Sequence, residues 1–185
     1  DNETWYDYAV IKLPRDTPMA ERVRVNTLGL ASVAWGQSIG FWHAGTELLR
    51  SKSLDRDSYN SGDWFNAIDW TGERNTFGTG LPVADKNHEK WDLISPILAY
   101  PANRQDAAAM AQADAMMLDL LRLRASTPLF TLGDAEAIKQ SVTFPNAGPD
   151  ATPGLLVMAI DSTSAQRAAS TEGVIVVFNA SPETI

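Results

Sequence analysis

Residues 41–66 read Phe41-Trp42-His43-Ala44-Gly45-Thr46-Glu47-Leu48-Leu49-Arg50-Ser51-Lys52-Ser53-Leu54-Asp55-Arg56-Asp57-Ser58-Tyr59-Asn60-Ser61-Gly62-Asp63-Trp64-Phe65-Asn66. The opening reads as the end of a short buried strand at residues 38–43, with Gly45 as a turn. From Arg50 the stretch becomes a polar loop carrying Lys52, Asp55, Arg56, Asp57, Tyr59, Asn60, Asp63, Trp64 and Asn66. A connector has no need of so many aromatic and balanced charged groups. Aromatic faces stack on sugar rings, and carboxylate, guanidinium and amide groups bond hydroxyls in pairs, so this loop has the chemistry to grip a polyhydroxylated ligand. The competing reading is a solvated loop pinned by its own ion pairs.

Upstream, Thr17-Pro18 opens a helix: Thr17 can cap, Pro18 suits the first helical position, and Glu21 favours the positive end. Val25, Leu28, Ser32 and Trp35 share one face, and Gly36 ends the helix. Residues 1–12 lack a clear period and read as a loop. Loop, helix, short strand and polar loop together make one βα-type unit, with the polar residues where parallel barrels gather their sites. His43 and Glu47 stand just after the strand. The simplest reading of His43 is a hydrogen-bonded histidine under a barrel rim. Glu47 reads as a buried carboxylate tied to backbone amides or to Arg50.

Downstream, residues 69–102 form a long Gly- and Pro-punctuated excursion with a helical turn near residues 91–98. Residues 104–124 are the clearest helix, with Met110, Ala113, Met117, Leu120 and Leu121 on one side as core. Ser126-Thr127-Pro128 stops it. Beyond it, residues 137–144 alternate in hydropathy, and residues 154–161 and 173–179 are β-rich. These read as antiparallel strands of a separate domain beginning near Ser126.

The 185 residues carry a formal net charge of -8 and no basic cluster, which argues against a nucleic-acid partner. Cysteine is absent, which removes disulfides and Cys-ligated metals. No apolar run approaches a membrane span, so no membrane partner is expected. The chain lacks an initiator Met and reads as a piece of a longer polypeptide.

Arg50-Ser51-Lys52-Ser53, Arg56-Asp57-Ser58-Tyr59 and Ser61-Gly62-Asp63-Trp64-Phe65-Asn66 resemble the type I pullulanase and limit-dextrinase group, starch-debranching members of the α-amylase superfamily. Asp1-Asn2-Glu3-Thr4 resembles the motif after barrel strand seven, and Phe41 to Leu48 resembles strand eight and its exit. Ser126 to Phe130 and Pro153 to Met158 resemble the junction to, and an early strand of, the C-terminal β domain. Trp42 and Thr46 depart from the common pattern, which touches packing beside strand eight and not the class.

The resemblance implies an α/β plus β fold. Residues 1–126 would be the last part of a (β/α)8 TIM barrel, after strand 7 through helix 8. Residues 127–185 would start an antiparallel β-sandwich domain. It implies a glycoside hydrolase that cleaves α-1,6 branches of pullulan, amylopectin and limit dextrins with retention. The nucleophile and general acid would lie upstream, in the missing N-terminal part of the same polypeptide, so this chain alone would be inactive. Asp1 would stabilise the transition state, and Asn2, Arg56, Asp57 and Glu89 would bind substrate. Arg56 could fork onto a sugar or onto a neighbouring carboxylate such as Asp55. No cofactor or metal is expected in this segment, and Ca2+ stays open for the full enzyme. The partner is an α-glucan. The compartment stays open: extracellular or periplasmic in a bacterium, plastid in a plant. The alternative is a non-catalytic starch-binding module that stacks sugars on Tyr59, Trp64 and Trp70.

Overall fold

A computed structural model describes residues 2–162 and 172–184. Asp1 therefore lies outside the described residues. The described residues combine helices with one three-stranded antiparallel sheet. Residues up to Leu30, with Trp42–Met117, form one compact unit, and Ala31–Phe41 with Leu118 onward form another.

The first unit opens with a helix, α1 (Trp5–Lys12), where a loop was expected. Its sequence has aromatics on both faces and no clean apolar stripe, which hides the period. Its signal is the cap: Thr4 Oγ1 accepts the Asp7 N–H at 3.2 Å, with an acid in the first turn and Lys12 in the last. Helix α2 (Met19–Ala34) follows the Thr17-Pro18 start. Its buried line is Arg22, Val23, Asn26, Leu30, Ala31 and Ala34, rather than the face through Ser32. Hydropathy misplaces this face because two polar residues are buried on it. Arg22 donates to the carbonyls of Pro14, Arg15 and Thr17, and Asn26 Nδ2 to Thr46 O. The Trp5 indole packs against Gly29 of this helix, where a methyl group would sit 2.5 Å from the ring.

Residues 38–43 form no strand among the described residues, although Ile39 and Phe41 alternate outward at 91% and 86% exposure. A strand exists only through a ladder partner, and none of the described residues supplies one. Short helices α3 (Asp63–Asn66), α4 (Ala84–Asn87) and α5 (Trp91–Leu98) punctuate the excursion. The long helix α6 (Ala107–Ser126) presents Ala109, Met110 and Ala113 to Tyr6, Val10, Val23, Leu49 and Phe77 in the core of the first unit. The methionine side of this helix is thus core, apart from the half-exposed Leu121.

In the second unit, α7 (Ala135–Ser141) replaces most of the strand expected at residues 137–144. Asp134 caps it by accepting the Ala137 N–H at 2.9 Å, and Ala, Glu, Lys and Gln are helix formers. That local preference outweighs the two-residue alternation. Only β1 (Val142–Thr143) remains extended, pairing with β2 (Leu155–Asp161), which pairs with β3 (Gly173–Asn179). Met158, Ile160 and Val176 turn inward onto Leu129 and Phe130, with Trp35 stacked on Phe130. Arg124 donates to the carbonyls of Ala34, Gly36 and Ser38, which satisfies the end of α2. The opposite face of the sheet carries Val157, Ile175 and Val177, with Ile175 73% exposed.

Candidate functional site

The stretch from Gly45 to Asn66 has almost no regular ladder, so its backbone groups must find side-chain partners. Buried amides supply two: Asn26 Nδ2 donates to Thr46 O at 3.0 Å, and Gln105 Nε2 to Leu49 O at 2.8 Å. Thr76 Oγ1 donates to Ser51 O, and Ser53 Oγ to Gly80 O at 2.6 Å. Three non-glycine residues, Leu49, Ser53 and Leu54, take positive φ values of 54°, 52° and 65°. Such left-handed residues are strained and persist only where their surroundings over-determine them. Gly45 has φ 87° and meets the Arg50 side chain so closely that a methyl group would lie 2.9 Å from Arg50 Cδ.

Arg50 then closes the loop. Its guanidinium donates to Ala44 O at 3.0 Å and to Asn66 O at 2.5 Å, and lies 3.1 Å from His43 Nε2. Because Arg50 only donates, His43 Nε2 accepts and the proton sits on Nδ1. Burial, Arg50 and Lys52 all hold the His43 pKa below its usual value, so the ring is neutral at neutral pH. Glu47 acts on Arg50 through its charge. Lys52 Nζ donates to Ser58 Oγ, which donates to Asn66 Oδ1, and Asn66 Nδ2 donates back to Ser58 O and Gly62 O.

Asp55, 1% exposed, is the inward pivot. Its Oδ1 accepts from Asp57 N at 3.0 Å and Asn87 Nδ2 at 3.1 Å, and its Oδ2 from Ser61 Oγ at 2.6 Å. The fork from Arg56 to Asp55 does not form. Arg56 is exposed and makes no hydrogen bond or ion pair among the described residues. Asp57 faces outward and takes Lys86 Nζ at 2.6 Å, and Lys86 lies 4.2 Å over the Tyr59 ring. Lys86 therefore belongs to the cluster. The signal was present in Lys86-Asn87-His88-Glu89, but nothing in the order of residues pairs it with Asp57, twenty-nine positions away.

Glu89 lies exposed on the turn His88–Lys90, and Asn2 is exposed beside Glu3. Lys90 Nζ sits 3.8 Å from Glu3 Oε1, which brings the chain next to Asn2 to the turn carrying Glu89. Tyr59, Trp64 and Trp70 present their rings to solvent, Tyr59 at 82% exposure. The arrangement offers an exposed guanidinium, an ion-paired carboxylate and aromatic faces, with buried Asp55 holding Asp57 N, Ser61 and Asn87 from beneath. Among the described residues no group of three or more His, Asp or Glu is placed to hold a metal ion, and no helix is long and apolar enough to cross a membrane.

The family model described as alpha-1,6-glucosidases, pullulanase-type, C-terminal, matches residues 72–185. The chain is 44% identical over 188 residues to Pullulanase 1, chloroplastic, of Arabidopsis thaliana, covering 98% of this chain and 20% of that protein. It is 39% identical to the pullulanase of Klebsiella pneumoniae, covering 100% of this chain and 17% of that protein. It thus spans about a fifth of the length of the curated relatives it matches. Among solved structures, Klebsiella pneumoniae pullulanase complexed with maltotriose superposes with a TM-score of 0.91 at 38% identity, over 99% of this chain and 18% of that one. A mostly helical first unit, an antiparallel sheet after α6 and a match over most of the chain lead to one assignment: the chain belongs to the pullulanase-type α-1,6-glucosidase family.

Proposed function

We propose that the chain is the C-terminal part of a retaining α-1,6-glucan debranching glycosidase, in which residues 50–66 and 86–89 hold glucose units beside the cleavage point. The observation that carries this reading is the division of the loop about Asp55. One carboxylate is buried and saturated by Ser61, Asn87 and Asp57 N, while Arg56, Asp57 and Tyr59 are held outward. A loop that served only as a connector would not bury a carboxylate to present a guanidinium, a carboxylate and an aromatic ring to solvent. The maltotriose bound by the Klebsiella pneumoniae pullulanase supports an α-glucan as the ligand class.

In this reading residues 1–126 complete a (β/α)8 barrel after strand seven, and residues 127–185 begin an antiparallel β-sandwich. The outward alternation of Ile39 and Phe41 fits a strand that pairs with barrel neighbours. The apolar outer face of β2 and β3 fits a second sheet packed over the first. The nucleophile and general acid are supplied upstream. Asp1 stabilises the oxocarbenium-like transition state through hydrogen bonds to the sugar that strengthen as the ring flattens. Asn2 orients Asp1 or the sugar. Arg56, Asp57 and Glu89 contact hydroxyls, and Asp57 does so with Lys86 beside it.

The test is made in the full-length enzyme. Asp1→Asn keeps size and removes charge, and should lower kcat on pullulan by about 100-fold or more. Asp57→Ala should weaken calorimetric binding of a branched maltooligosaccharide with the melting curve unchanged, and Arg56→Lys should do so more mildly. Wild-type affinity in both loop variants would remove the binding role.

A further inference from the structure

We infer that Asp7 is a positioning residue that holds the strained turn at the root of the carbohydrate loop, and so sets where Arg56 and Asp57 stand. This rests on the reading of residues 50–66 as the sugar-binding loop.

The geometry is unusual for an acid in the first turn of a helix. Such residues commonly stay in water and interact with the helix end. Asp7 is instead fully buried and reaches away from its own helix, across more than forty positions of sequence. Its Oδ1 accepts from Ser51 Oγ at 2.6 Å, and its Oδ2 accepts from Lys52 N at 2.8 Å and Leu54 N at 3.2 Å. Ser51 Oγ in turn accepts from Ser53 N at 2.9 Å. One carboxylate thus terminates, directly or through Ser51, the N–H groups of three successive residues. Two of those three, Ser53 and Leu54, are left-handed without being glycine.

No ion pair offsets the buried charge among the described residues, although the Lys52 ammonium senses it. A buried carboxylate without a paired cation is a poor device for stability alone. It is a good device for forcing a backbone conformation, since both oxygens can each take more than one donor. The turn it forces leads straight into Asp55, the pivot of the outward cluster. The same helix begins three residues after Asn2, so Asp7 fixes the segment bearing Asn2 relative to the loop bearing Arg56 and Asp57. An amide in its place keeps an acceptor for the Lys52 and Leu54 N–H groups but turns an N–H2 group toward Ser51, so the Ser51 hydroxyl loses the acceptor for its own proton and the relay reverses.

The experiment uses the full-length polypeptide with Asp7→Asn and, separately, Ser51→Ala, which removes the hydroxyl relay without touching α1. Three quantities are read: hydrogen exchange of peptides covering residues 50–66, kcat and KM on pullulan, and the melting temperature. Both variants should show faster exchange in residues 50–66 and a fall in kcat/KM of about 10- to 100-fold, carried mainly by KM, as expected for sub-ångström to ångström misplacement of binding groups. Unchanged exchange across residues 50–66 in both variants overturns the inference. So does an exchange change confined to residues 4–12 with wild-type KM. If wild-type enzyme leaves pullulan uncut, the proposed function fails, and the exchange comparison still decides whether Asp7 holds the loop.

Discussion

The buried carboxylate of Asp7 should leave a pH signature on stability. Burial pushes its pKa from 3.8 to about 6, against the lowering effect of Ser51 and the Lys52, Leu54 and Thr4 groups that bond it. The folded state therefore holds the proton more tightly than the unfolded chain does. A raised folded value means that the contribution to stability is complete below the unfolded pKa and is lost as pH rises through the folded one. The shift of roughly two units corresponds to about 3 kcal/mol, lost between about pH 4 and pH 7. Asp7→Asn carries no such charge and cannot show this loss. Urea unfolding of wild type and Asp7→Asn in parallel, from pH 4.5 to 7.5, cancels every other titrating group. The variant should gain on the wild type steadily as pH rises, while its kcat/KM falls. Parallel stability curves across that range would refute the reasoning, because they would mean that Asp7 titrates alike in folded and unfolded chains.

Asp55→Ala should destabilise the fold by about 1–3 kcal/mol, because the Asp57 N–H and the Ser61 hydroxyl lose their acceptor and Asn87 Nδ2 keeps only Val83 O; chemical denaturation measures it, and the same variant should bind branched maltooligosaccharide less well. Gly29→Ala should cost about 1–3 kcal/mol by driving a methyl group into the Trp5 indole, and Trp5→Leu in the same chain should recover part of that loss in a double-mutant cycle. Lys86→Met should lower affinity for a branched oligosaccharide with little change in melting temperature, since the Lys86–Asp57 pair is a partly exposed surface pair; equal affinity by calorimetry would separate Lys86 from the site. Ile160→Ala should cost about 2–5 kcal/mol from the wholly buried sheet core, measured by denaturant unfolding, with oligosaccharide affinity retained in the folded fraction.

Some of this was legible in the residues alone. Helix α2 announces itself through Thr17-Pro18, helix α6 through its apolar stripe, and β2 and β3 through their branched runs, because each signal is local and repeats with the period of its own element. The loop at residues 50–66 was recognisable from composition, since aromatic rings and paired polar groups are costly without a ligand or a brace. Sequence order could not say which residue is turned outward and which is brace. Asp55, Arg56 and Asp57 are neighbours of similar polarity, yet one is buried and two are not. That assignment depends on Asn87, Ser61 and Lys86, which arrive from other turns. Asp7 looks like an ordinary helix-start acid until Ser51, Lys52 and Leu54 fold onto it. The alternation at residues 137–144 pointed to a strand, and the Asp134 cap made it a helix. The buried face of α2 followed from hydrogen bonds to Arg22 and Asn26, which hydropathy scores as outward. Local propensity and period act over a few residues and can be read in line. Burial of a charge, its partners and the strain it holds are set by groups far apart in the chain, and only the tertiary structure brings those together.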